Sequence, residues 1–223
     1  MRSETDFSDT TIIIPTLNEE KNIGALIGIL KTLYPKIKII VTDDGSTDKT
    51  AEIAKQSAVV VDRRDKKIKG ITAAVLDAAS QVQTENIVVM DADLQHPPEK
   101  VEEIIEKLKD NDIIIAVRRK VVGHWGAIRK LESRIGTILA QLRLLKRIKD
   151  PLSGFFGIKT ELFKKIRKDN FELRCFKILV NILKNRPPGT NIWYVPYEFD
   201  IRKRGQSKIQ KKHIWYFLKN IFS

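Results

Sequence analysis

Along the first half of this 223-residue chain, short β-branched runs alternate with longer stretches of helical spacing. Thr11-Ile12-Ile13-Ile14-Pro15 reads as a buried strand by composition and length. A polar loop from Thr16 to Glu20 follows, then a helix to Leu33 with Ile23, Leu26, Ile27 and Leu30 on one face. Ile37 to Val41 makes a second strand, which runs into Thr42-Asp43-Asp44-Gly45-Ser46-Thr47-Asp48 before a helix starting near Lys49. Val59 to Val61 is a third strand, residues 69–83 an alanine-rich helix, and Ile87 to Met90 a fourth strand. Pro97-Pro98 opens a helix to about Lys109, since proline is tolerated in a first helical turn, and Ile113 to Val117 is a fifth strand. Strands separated by helices of roughly 10–15 residues predict an α/β fold, a mostly parallel sheet sandwiched by helices. Ligands of such open sheets bind beyond the carboxyl ends of the strands, and the polar clusters at 15–19, 42–48 and 91–96 all fall there.

Beyond residue 120 the pattern turns basic. Ile128, Leu131, Ile135, Ile138, Leu139, Leu142 and Leu145 recur at helical spacing, with Arg129, Lys130, Arg134, Arg143, Lys146 and Arg147 interleaved. Core packing accounts equally well for the apolar face; the density of cations beside it favours an interfacial helix or helix pair at about 120–148. Asp150-Pro151-Leu152-Ser153-Gly154-Phe155-Phe156-Gly157 follows, then helices around 160–168 and from Phe171 to Lys184, and an aromatic strand from Ile192 to Val195. The tail places Ile214, Leu218, Ile221 and Phe222 on one side, with lysines, Trp215 and Tyr216 elsewhere, as a headgroup-level helix at about 208–223 would. There is no internal repeat or low-complexity linker, so residues 1–223 are expected to form one domain with these two membrane-interface appendages.

Charge sharpens that picture. Lys and Arg total 41 against 28 Asp and Glu, a formal +13. Residues 118–149 hold ten cations and one acid, and residues 199–223 seven and one, which leaves the rest of the chain near neutral. Two local basic surfaces suit an anionic partner such as lipid headgroups, phosphates or nucleic acid, although solvated helix faces have the same composition. Cys175 is the only cysteine, which excludes an internal disulfide or a cysteine-rich zinc site and reads as a core thiol in a reducing compartment. No apolar run approaches the ~18 residues of a membrane span, and neither a signal-peptide core nor an Asn-x-Ser/Thr sequon occurs. The expectation is a cytosolic chain, peripheral on the cytoplasmic face of a membrane.

Candidate chemistry centres on Val88-Val89-Met90-Asp91-Ala92-Asp93-Leu94-Gln95-His96-Pro97-Pro98, where an apolar run ends in two carboxylates at alternate positions. On a strand end those side chains point the same way. Adjacent anions then ask for a divalent cation, and hard oxygen ligands suit Mg²⁺ or Mn²⁺. Asp-x-Asp also marks ordinary loops and helix caps. Asp43-Asp44-Gly45-Ser46 is either an Asx-turn with a helix cap or a carboxylate presented to a nucleobase or ribose. Neither Gly-x-Gly-x-x-Gly nor a P-loop is present, so phosphates would have to be held by metal and cationic side chains. His96 reads as a supporting neighbour of the acidic pair, and His124 and His213 as surface residues.

Six blocks occur in order: Pro15-Thr16-Leu17-Asn18-Glu19, Asp43 to Asp48, Lys69-Gly70, Met90 to Glu99, Asp150 to Phe156, and Arg202-Lys203-Arg204-Gly205-Gln206-Ser207-Lys208. Together they resemble the GT-A family 2 glycosyltransferases, most closely the dolichyl-phosphate mannose synthases, from about residue 10 to 222. The resemblance implies metal-dependent, inverting transfer of mannose from GDP-mannose to dolichyl or another polyprenyl phosphate. It assigns Asp91, Asp93 and Gln95 to the metal. Pro15, Leu17, Glu19, Thr42, Asp44 and Ala92 join them around the sugar nucleotide, with Arg202 and Lys208 on its phosphates. Arg118, Arg129 and Ser133 fall to the acceptor phosphate, and Asp91, Asp93, Arg118 and Arg129 carry the catalysis. Membrane contact through a separate anchoring subunit, or through C-terminal transmembrane helices, belongs to the same pattern. Leu17 stands where the family frequently has tyrosine, and Arg119 where an aromatic often follows the residue matching Arg118.

An ordinary hydroxyl acceptor would need a base, for which Asp150 is the candidate; a phosphate acceptor needs none. A polyprenyl-phosphate glucosyltransferase using UDP-glucose is the alternative within the enzyme class. A nucleic-acid-binding module fits the basic stretches, and Gly123-His124-Trp125-Gly126 superficially matches a Gly-x-x-Gly loop. Acids at three successive strand ends would repel a phosphate backbone, so nucleic acid is not the expected partner. A catalytically silent membrane scaffold is the remaining rival.

Overall fold

The structure, a computed structural model, describes residues 6–121 and 148–199 together with Trp215, Tyr216 and Lys219. The β-branched runs form β1 (Thr10–Thr16), β2 (Lys38–Asp43), β3 (Val59–Asp62), β4 (Asn86–Val89) and β5 (Ile113–Val121). Between them lie α1 (Ile23–Leu33), α2 (Thr50–Lys55), α3 (Ile71–Ala79) and α4 (Lys100–Leu108). β6 (Phe156–Lys159), α5 (Thr160–Lys165), α6 (Ile178–Asn185) and β7 (Ile192–Phe199) follow the basic segment. The strands make one sheet in the order β3-β2-β1-β4-β6-β5-β7. β6 runs antiparallel to both neighbours while the other pairings are parallel, as expected for a mostly parallel α/β sheet.

Side-chain alternation along the strands builds the core on both faces. Ile12, Ile14, Val88, Met90, Ile114 and Ala116 pack on one side with Leu26 and Leu30 of α1 and Val101, Ile104 and Leu108 of α4. Ile13, Ile87, Val89, Ile113 and Ile115 face the other way, against Val75 and Ala78 of α3 and Leu179 and Ile182 of α6. Phe155 and Phe156 divide between the two layers in the same manner, and both are fully buried, worth about 2–3 kcal/mol each. Strand order reverses between β1 and β4, which run parallel, because β2 and β3 are added on one side of β1 and β4 on the other, so a crevice opens there at the strands' carboxyl ends.

Four boundaries differ from expectation, each for a local reason. β6 is a short run buried on both faces, without the alternation that marks a strand in sequence. Pro97 and Pro98 lie ahead of α4, where their carbonyls accept from the N–H groups of Lys100 and Val101. Residues 171–177 stay irregular because their carbonyls serve α3. Thr72 N–H donates to Cys175 O (3.1 Å) and Ala73 N–H to Leu173 O (3.2 Å), satisfying donors that a helix start leaves open. β7 continues through Pro196, which an edge strand tolerates because no partner on its outer side needs that N–H. The segments expected to lie at a membrane, about 120–148 and 208–223, fall almost entirely outside the described residues. No helix among the described residues is long and apolar enough to cross a membrane.

Candidate active site

At the crevice the loops after β1 and β2 are clasped to each other. Asp43 is buried, and its Oδ1 accepts from the backbone N–H groups of Gly45 (3.1 Å) and Ser46 (2.7 Å). Its Oδ2 accepts from the hydroxyls of Ser46 (2.5 Å) and Thr16 (3.3 Å). Asn18, in the left-handed region at φ 52°, takes the N–H of Thr47 on its Oδ1 (2.8 Å) and donates its own N–H to Ser46 Oγ (2.8 Å). The first aspartate of the Asp-Asp-Gly-Ser block is thus the turn-builder. Glu19 is buried and accepts from Asn22 Nδ2 (2.8 Å), while Leu17 stands exposed beside it. Pro15 and Thr42 pair across β1 and β2 and are enclosed in the sheet, so neither side chain is presented to a ligand in this state.

Asp44, the second aspartate, is held open by a residue the sequence did not single out. Its Oδ1 pairs with Arg63 Nη1, and its Oδ2 accepts the N–H of Gly70 (2.7 Å). Arg63 is fully buried; it also bonds Asp77 Oδ2 (2.8 Å) and the Ile68 carbonyl (2.7 Å). Burial pushes the Asp44 carboxyl above its usual range, against the pull of the Gly70 N–H, Arg63 and Lys69. Arg63 lies in a run of five cations between residues 63 and 69, which reads as a solvated surface until the fold brings Asp44 and Asp77 to it.

The acidic pair sits one step further along than the sequence predicts. β4 ends at Val89, so Asp91 and Asp93 occupy the turn beyond it, with Leu94 at φ 60°. Asp93 is buried and its Oδ1 accepts the Gln95 N–H (3.1 Å); Gln95 is buried as well, and the Ala92 methyl packs in the core. Asp91 is one-third exposed, with Oδ2 3.1 Å from His96 Nε2. No group of three or more His, Cys, Asp or Glu able to hold a metal occurs among the described residues. Two carboxylates alone fit Mg²⁺ or Mn²⁺, which keep water and substrate phosphates in their remaining positions. Gly154 lies directly against Asp91: a Cβ there would stand 2.5 Å from Asp91 Oδ2. Gly154→Ala is therefore expected to displace the Asp91 carboxylate and cut turnover by about 100-fold, with circular dichroism unchanged.

Arg118 and Asp150 form the other wall. Arg118 Nε and Nη2 reach Asp150 Oδ2 and Oδ1 at 2.7 and 2.6 Å, a two-pronged pair, and the Arg118 backbone N–H adds a 3.2 Å bond to Oδ2. Burial pulls the guanidinium down, but the hydrogen bonds and charge of Asp150 outweigh it and hold Arg118 above its usual range. Asp150 has φ 45°, and a bulge in the β5–β7 pairing falls at Arg119, where it re-aims the strand end. Lys177, also missed in sequence, joins this group: burial lowers its ammonium, while Asp91 and Asp150 raise it and Arg118 lowers it further. Arg129, Ser133, Arg202 and Lys208 lie outside the described residues.

A mostly parallel α/β sheet with its acids and cations gathered where strand order reverses places this chain among α/β folds with a ligand crevice at the carboxyl edge. Residues 11–167 match the glycosyl transferase family 2, and the chain belongs to that family. It is 35% identical over 224 residues to the dolichol-phosphate mannosyltransferase of Pyrococcus furiosus, a match covering 95% of this chain and 62% of that protein. The dolichol-phosphate mannosyltransferase of Saccharomyces cerevisiae is 29% identical, covering 95% of this chain and 85% of the other. Among solved structures, glucosyl-3-phosphoglycerate synthase from Mycobacterium tuberculosis in complex with Mn²⁺, UDP-glucose and phosphoglyceric acid superposes with a TM-score of 0.69. That pair is 22% identical, and the match covers 96% of this chain and 79% of the other.

Proposed function

We propose that residues 1–223 form a single glycosyltransferase domain that transfers mannose from GDP-mannose to dolichyl or another polyprenyl phosphate, inverting the anomeric carbon. The observation that carries this reading is the match over 95% of this chain to two relatives that bear the name dolichol-phosphate mannosyltransferase, spanning 62% of the length of one and 85% of the other. A divalent ion, Mg²⁺ or Mn²⁺, at Asp91, Asp93 and Gln95 supplies Lewis-acid neutralisation of the leaving diphosphate. Leu17, Glu19 and Asp44 line the nucleoside side, with Asp44 kept in place by Arg63 and Gly70. Pro15, Thr42 and Ala92 form the floor beneath it rather than touching the nucleotide with their side chains.

A lipid monophosphate, with a second pKa near ~6, is largely dianionic at neutral pH and needs positioning rather than deprotonation. Arg118, oriented by Asp150 through Nε and Nη2, brings a fixed positive charge to the carboxyl edge of the sheet for that task. Asp150, the base a hydroxyl acceptor would call for, has both oxygens on Arg118, which favours the phosphate acceptor. By their place in the motifs, Arg129 and Ser133 join Arg118 on the acceptor phosphate, and Arg202 and Lys208 hold the donor phosphates. The basic segments at about 120–148 and 208–223 lay the domain on an anionic membrane surface.

The test is a donor panel: radiolabelled GDP-mannose, UDP-glucose and UDP-GlcNAc, each with dolichyl phosphate and Mn²⁺ or Mg²⁺. Lipid-extractable label is expected from GDP-mannose and to disappear with EDTA. Product from UDP-glucose alone would reassign the donor, and salt-sensitive binding to random oligonucleotides without any product would overturn the enzyme reading.

A further inference from the structure

Asp91 is held from behind by His96, which is itself backed by Tyr197. His96 Nε2 lies 3.1 Å from Asp91 Oδ2, and His96 Nδ1 lies 2.9 Å from the Tyr197 hydroxyl. A carboxylate can only accept, so Nε2 carries the proton and donates it to Asp91. In the neutral ring Nδ1 is then the acceptor, and the Tyr197 hydroxyl donates to it. The hydrogen bonds therefore run in one direction, from Tyr197 through His96 to Asp91.

The ring has little room to swing. His96 and Tyr197 are both buried, and the imidazole centroid lies 5.2 Å from Phe155 and 5.7 Å from Tyr197. Phe155 and Tyr197 close the triangle edge to face at 5.8 Å, and Tyr197 is fixed on β7 opposite Arg118. The strap thus joins the turn after β4 to β7, across the two strands that separate them in the sheet. Gly154 completes the grip by letting the chain lie close against Oδ2.

We propose that His96 and Tyr197 are positioning residues that fix the plane in which Asp91 offers its carboxylate to a divalent cation. Tyr197 selects the tautomer and His96 donates the hydrogen bond. This rests on the cation reading given under the proposed function. Outer partners of this kind typically contribute 10- to 100-fold in metal affinity.

Manganese binding to the full chain in the presence of GDP, followed by electron paramagnetic resonance, tests it without recourse to turnover. His96→Leu is expected to weaken Mn²⁺ about 10- to 100-fold. His96→Gln, whose side-chain amide can donate from the Nε2 position, is expected within about 3-fold of wild type. Tyr197→Phe keeps the ring packing but loses the tautomer choice, and about 3- to 10-fold weakening is expected. Wild-type Mn²⁺ affinity in both His96→Leu and Tyr197→Phe overturns the inference, even if their melting temperatures fall, since that is the mark of a packing role. Equal weakening in His96→Gln and His96→Leu overturns the hydrogen-bond assignment. Where His96→Leu does not fold, Tyr197→Phe decides alone. A wild-type chain that takes up no Mn²⁺ with GDP defeats the cation reading itself, whereas uptake unaffected by the variants defeats only the strap.

Discussion

Asp93→Asn is expected to lower mannosyl transfer by at least ~10³-fold while leaving melting temperature unchanged or slightly raised. Lewis-acid stabilisation of a leaving diphosphate is worth several kcal/mol, and about 4 kcal/mol corresponds to that factor. The substitution is nearly isosteric. Asn keeps a carbonyl oxygen where Asp93 Oδ1 accepts the Gln95 N–H, so that bond of the turn after β4 is preserved. Asp91 and Asp93 are two acids two residues apart on one turn, and neutralising one of two like charges at that spacing relieves repulsion. Function and stability should therefore move in opposite directions, as at sites that carry strain for their chemistry. Scintillation counting of lipid-linked mannose and a thermal melt decide it. Near-normal transfer sinks the metal assignment, and a melting temperature lowered by much more than a few degrees makes Asp93 a structural residue.

Sequence made the sheet legible because its information is local there. Ile12-Ile13-Ile14 and Ile113-Ile114-Ile115 can only be strands buried on both faces, and the helical spacing of Ile23, Leu26, Ile27 and Leu30 names its own buried side. The polar clusters at the strand ends are equally visible, since α/β topology alone brings residues 15–19, 42–48 and 91–96 to one edge. What stayed hidden depends on contacts distant in sequence. Arg63 looks like any cation in a basic run, and its meaning comes from Asp44, Asp77 and a carbonyl that only folding supplies. Tyr197 lies past the predicted end of its strand and meets His96 101 residues away. β6 carries no alternation to read, and the helix expected from Phe171 to Lys184 begins only at Ile178 because carbonyls needed by α3 hold residues 171–177 out of helical geometry. Asp150 shows the most instructive difference. In sequence it is the base that a hydroxyl acceptor would need; in the fold it is the counter-ion paired with Arg118.

That last assignment makes a strong energetic prediction. Asp150→Asn is expected to destabilise the protein by about 2–4 kcal/mol, somewhat below the 3–5 kcal/mol typical of breaking a fully buried ion pair. The allowance is modest because the Arg118 side chain is 18% exposed and that of Asp150 only 9%. Removing the carboxylate strips the guanidinium of its two-pronged partner beside the charge of Lys177. Asparagine tolerates the left-handed backbone found at φ 45°, so this variant isolates the charge. Asp150→Ala should lose roughly 1 kcal/mol more, the cost of holding an ordinary side chain in that region. Because the two groups act as a unit, Arg118→Ala combined with Asp150→Ala should cost less than the two single losses added, by about 2 kcal/mol or more. Urea denaturation of the four proteins measures every leg of that cycle. Additive losses would mean that Asp150 and Arg118 act independently and return Asp150 to candidacy as a base. A coupled loss, with Asp150→Asn retaining turnover in proportion to its folded fraction, removes Asp150 as a base and fits a phosphate as the attacking group.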